Sequence, residues 1–121
     1  MKGLAVVIVA ALSGVAFAGG DKEPEVSTAD AARFVAFFDQ VVDTVAANKD
    51  DCARMTKALN TLFDASTAVI ADANKAKEDG KHLPKASDEH IAAGTQKLVA
   101  DLNKCAADKP VQEAFKRLDK K

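Results

Sequence analysis

The chain has 121 residues with 17 Lys+Arg against 18 Asp+Glu, so its formal charge is close to zero. That balance argues against non-specific nucleic-acid binding, which needs an excess of cations facing phosphates. There is no Trp or Tyr and only 5% aromatic residues, which argues against base-stacking platforms and aromatic sugar sites.

The first stretch reads as a signal peptide, residues 1–18. Lys2 supplies a positive start, Leu4 to Val15 is a nearly unbroken apolar run, and Ala16-Phe17-Ala18 places small residues around a cleavage before Gly19. The run is shorter than the roughly 20 residues needed to span a bilayer. No Cys occupies the first mature position, so a lipid-anchored form is unsupported. Export to a periplasmic or secreted setting, with no stable membrane span after cleavage, is the expectation. Without these 18 of its 121 residues the chain keeps 103, one domain by size. Because the removed part holds Lys2 and no acid, the net charge moves from −1 to −2.

Residues 19–26 read as a flexible, polar, Pro-containing lead-in, and 27–121 as a helical bundle domain. Ser27 is the expected N-cap of the first helix, with Asp30 near its positive end. Ala31, Phe34, Phe38, Val41 and Val45 then recur at steps of three and four, the helical period. Phe37, Val35 and Val42 widen the stripe to an arc of about 160°, where an ordinary surface helix needs a little over 100°. The helix should end near Asn48.

Asp50 or Asp51 caps a second helix. Cys52, Met55, Leu59, Leu62, Ser66, Val69 and Ala73 keep the period through about 28 residues, roughly 42 Å of helix, up to a terminator at Gly80. Lys81 to Ala86 is loop. Ser87 is the expected cap of a third helix carrying Ile91, Thr95, Leu98, Leu102 and Cys105. Asp108-Lys109-Pro110 starts a short last helix with Val111, Ala114, Phe115 and Leu118 on its apolar side. No strand-like alternation or internal repeat occurs. The fold class is all-α: a small antiparallel helix bundle of three substantial helices plus a short C-terminal helix.

Cys52 opens the second helical pattern and Cys105 closes the third, so antiparallel neighbours bring them to one end of the bundle. A structural disulfide between Cys52 and Cys105 is expected, in keeping with small exported domains. It closes a loop of about 54 residues and contributes about 4 kcal/mol by chain entropy. A redox role would favour close C-x-x-C spacing. The dipole at the start of the second helix would activate Cys52, and Asp50 and Asp51 oppose it.

Other chemistry is sparse. His82 in a loop and His90 in the third helix are the only histidines, and no metal site or other cofactor is expected from them. A c-type haem motif is absent, and Met55 and His90 fall at opposite ends of their hairpin. Lys75, Lys77, Lys81 and Lys85 with His82 form a basic patch diluted by Glu78, Asp79 and Asp88. No hydrolase, zinc-protease, P-loop or dinucleotide fingerprint appears, so no catalytic residues are named and the chain reads as non-enzymatic. The surplus of the first helix's arc is either covered by the last helix or left as a partner contact at Phe37, Val35 and Phe34. An exported structural or protein-binding module is the leading reading, and a carrier of a small apolar ligand or lipid the alternative; an unknown protein partner is compatible with both.

The run Asn48-Lys49-Asp50-Asp51-Cys52-Ala53-Arg54-Met55, with the later Leu102-Asn103-Lys104-Cys105, resembles a group of small exported Ala-rich helical proteins with a Cys pair from high-GC Gram-negative bacteria. That resemblance implies a periplasmic or secreted setting and no assigned activity.

Overall fold

The computed structural model describes residues 24–119. The expected signal peptide and the first part of the lead-in lie outside them. Among the described residues the helices are α1 (Thr28–Ala47), α2 (Cys52–Ala65), α3 (Thr67–Glu78), α4 (Lys85–Leu102) and α5 (Lys109–Lys116), followed by a 3-10 turn at Arg117–Asp119. No strand forms among these residues.

Side-chain caps set three of the starts. The Ser27 hydroxyl accepts from the Asp30 amide at 3.1 Å, and the Asp51 carboxylate from the Arg54 amide at 3.1 Å. Asp108 accepts from the Val111 amide at 3.4 Å, with Pro110 in the first turn of α5. Each satisfies an amide that the helix itself cannot. The start of α4 differs from the expected Ser87 cap. Pro84, with its backbone extended, occupies the cap position, and its carbonyl accepts from the Asp88 amide at 2.9 Å. The fixed φ of proline suits that entry, so the helix begins two residues before Ser87.

The expected single helix from Cys52 to Asp79 is divided at Ser66. The Ser66 amide reaches back to the Phe63 carbonyl at 3.1 Å, three residues away instead of four, and the Ser66 carbonyl at once accepts from Ile70. A straight rod of roughly 42 Å would overrun the 20-residue α1, roughly 30 Å long. Breaking it keeps the second half against the body, and Ser and Thr have little intrinsic preference for helix interiors. The third helix also stops sooner than its stripe. α4 ends at Leu102, and Cys105 lies in the turn that follows.

The last residues of the expected lead-in, 24–26, are held in place. At its end the Val26 amide donates to the His82 carbonyl at 2.8 Å and the His82 amide to the Pro24 carbonyl at 2.9 Å, an isolated parallel bridge. Val26 and Leu83 are both buried beside it, and that burial offsets the entropy of ordering the segment.

The bundle is built around α1, which packs on α2, α3 and α4. It buries Ala31, Phe34, Phe37, Phe38, Val41, Val42 and Val45, the wide arc read from its pattern. Its most extensive partner is α4. Val26 meets His82 at one end, the Phe38 ring lies on Gly94 in the middle, and Lys49 meets Cys105 at the other. The first and third arms thus run the same way, with α2 and α3 forming the return. A Cβ at Gly94 would stand 2.6 Å from Phe38 Cε2, and Phe38 is fully buried. Glycine here sets how closely α1 and α4 approach, and any side chain must displace that ring.

The last helix packs on α2. Phe115 stands edge-on to Phe63 with ring centroids 6.1 Å apart. Arg117 closes the contact: it donates to Asn60 Oδ1 at 2.9 Å and to the Asn60 carbonyl at 3.3 Å, pairs with Asp64, and lies 5.8 Å over the Phe63 ring. A carbonyl oxygen has two lone pairs, so Asn60, within the last two turns of α2, can accept from Arg117 beside the helix ladder. Arg117 thereby ties the end of the chain to the break at Ser66.

Candidate functional site

Cys52 and Cys105 are joined, with their Cα atoms 5.4 Å apart and a sequence separation of 53. Cys105 is fully buried and Cys52 half-buried. The bond links the first turn of α2 to the turn after α4, so it holds the far ends of the return arm and the third arm together. The Lys49 carbonyl oxygen lies 3.8 Å from Cys105 Sγ; a half-cystine has no proton, so this is a packing contact. Lys104 and Asp50 form an exposed ion pair at 3.5 Å over the same end, worth little in high dielectric. No described cysteine is free.

The residues expected to offer a partner contact are placed inward. Phe37 is 8% exposed and Phe34 4%, while Val35 is half-buried against the same core. The Phe37 ring lies 6.0 Å from that of Phe63 on α2, and Phe63 in turn meets Phe115 on α5. The surplus of the α1 arc is therefore used within the bundle. Among the described residues the exposed large hydrophobic is Val99, at 44%, and a single such residue needs no partner to explain it.

The two histidines serve different contacts. His90 on α4 meets Asp39 on α1 at 2.8 Å, both about half exposed, so the pair reinforces the α1–α4 seam from outside. His82 belongs to the lead-in bridge. Its Nε2 faces Glu25 at 3.7 Å, and its Nδ1 is buried with no hydrogen-bond partner. Met55 is fully buried. Among the described residues no group of three or more His, Cys, Asp or Glu is arranged to hold a metal ion. No described helix is long and apolar enough to cross a membrane.

Two charged groups stand out. Asp88, in the first turn of α4, has a buried Oδ1 without a partner. Burial, with Glu89 beside it, raises its pKa above the ordinary carboxylate value. A folded pKa above the unfolded one makes ionisation cost stability as pH rises through that interval. Arg33 on α1 binds Asp72 on α3 and Asp30 on its own helix, each at 3.1 Å. Those hydrogen bonds, Asp72 first, hold its guanidinium pKa above the usual value.

A surface cleft of about 230 Å³ lies between the first half of α1 and the second half of α3. Val26, Phe34 and Ala76 provide its apolar lining, and Asp30, Asp72, Lys75, Asp79 and Lys81 its charged lining. Part of the expected basic patch, Lys75 and Lys81, therefore borders a cleft in which carboxylates outnumber cations. Lys75 is paired with Asp79 at 3.8 Å.

Sequence reasoning passed over the lead-in anchor, although a local signal for it exists. Val26 precedes the Ser27 cap and Ala31 lies four residues into the helix, the spacing of a hydrophobic staple, and both are buried. Comparison of the chain with known protein families, characterised proteins and solved structures gives no match to any of them.

Proposed function

We propose that this chain is an exported, non-enzymatic helical module that acts through its outer surface in a structural or protein-binding role. The observation carrying this reading is the continuous buried core. Phe38, Phe63, Phe115, Met55, Leu59 and Ile91 are all fully buried in one contiguous cluster, as expected where large side chains pack against one another in the core. The Cys52–Cys105 bond supports an oxidising compartment, since such bonds persist mainly outside the cytosol. The pairing of both histidines with carboxylates across element boundaries supports roles in holding the fold.

The alternative, a carrier of a small apolar ligand or lipid, draws on Phe34, Val26 and Ala76 at the cleft. Five charged residues share that lining, which suits an apolar guest poorly. Native mass spectrometry of the protein purified gently from the exported fraction separates the two. The polypeptide mass alone, or that mass with a protein partner, is the expected result. A lipid or other apolar molecule bound at stoichiometric level would replace this reading with the carrier.

A further inference from the structure

The geometry points to α3 as a lid that opens from the face of α1 by melting between Ser66 and Gly80 while the rest of the bundle stays folded. Burial is very uneven along the chain. α1 buries seven side chains and α2 three, whereas α3 buries none over 12 residues. Its apolar residues Val69, Ile70, Ala73 and Ala76 are only partly covered where they meet the core. Its packing on α1 and α2 is the least extensive of the principal helix pairings. The free energy holding an element closed follows the apolar area it buries, so α3 is the segment with least to lose by leaving.

Both ends of α3 are suited to bounding such a segment. At Ser66 the α2 ladder has already broken, and the hydroxyl supplies no cap to α3. At the other end the Gly80 amide bonds the Lys77 carbonyl and the Lys81 amide that of Ala76, with Gly80 at φ 74°. That arrangement stops the helix and uses a conformation that glycine reaches without strain. The bodies beyond these two ends are fixed independently. Arg117 holds the end of α2 through Asn60 and Asp64. The bridge from Pro24 and Val26 holds His82, two residues past Gly80. The Cys52–Cys105 bond ties the opposite end.

The Arg33–Asp72 ion pair, with both side chains about half exposed, joins α3 to α1 beside a cleft that both helices line. Opening enlarges this cleft and uncovers Phe34, which lines it. A detached 12-residue helix is marginal in water, so opening melts α3. Melting makes the motion visible to amide exchange.

Hydrogen exchange on the disulfide-bonded protein, followed by mass spectrometry in increasing sub-denaturing urea, tests the lid. In the absence of urea, α3 amides are expected to exchange at least about a hundredfold faster than those inside α1 and α4. Their rates should change little with urea, because a small opening exposes little surface, while the α1 and α4 rates climb steeply. Protection of α3 equal to that of α1 and α4, with the same urea slope, would overturn the proposal. So would uniformly fast exchange of all the helices, since no separate lid would then exist.

Discussion

Reduction of the Cys52–Cys105 bond is expected to lower the melting temperature by more than about 10 °C while leaving the helical signal at room temperature. The bond closes a loop with a sequence separation of 53, and the entropy removed from the unfolded chain is worth about 4 kcal/mol. For a domain of this size each kcal/mol moves the midpoint by roughly 4–8 °C. The helices remain because their caps and the buried cluster around Phe38 and Phe63 do not depend on sulfur. Circular dichroism melts with and without reductant make the measurement. A midpoint unmoved by verified reduction would mean that the unfolded chain gains nothing when the loop is released.

The second large effect belongs to Phe37. Replacing Phe37 by Ser removes a ring packed on Phe63 and places a hydroxyl where the residue is 8% exposed. A cavity of that size costs about 3–5 kcal/mol, and an unpartnered hydroxyl adds to the loss. The variant should therefore melt well below the parent, by an amount comparable with loss of the disulfide. If Phe37→Ser instead kept its melting temperature and lost a binding partner, the ring would be a surface contact, and the packing of α2 over α1 would need revision.

Local chemistry and period made much of the fold legible. Ser27, Asp51 and Asp108 are short acceptors standing before apolar-periodic runs, and each caps a helix. The stripe from Ala31 to Val45 identified the face that α1 buries. The two cysteines fell at matching ends of their arms because short connections force a return in direction. Features that depend on distant parts of the chain were not legible. The three-and-four spacing runs through Ser66 without interruption, and nothing local says that a straight rod would overrun α1. The close approach at Gly94 is defined by the Phe38 ring from another helix, so in the sequence it is only a helix-weakening glycine. As for the candidate site, the width of the α1 arc was legible. What covers it was not, because that depends on how Phe63 and Phe115 stack.

The most direct test of an exported, disulfide-stapled module is the intact mass of the protein from its native source, alkylated without reduction. The expected species begins at Gly19, is lighter than the reduced chain by about two hydrogens, and carries no alkyl group on Cys52 or Cys105. A species that retains Met1 to Ala18, or one alkylated at both cysteines while folded, would contradict the account.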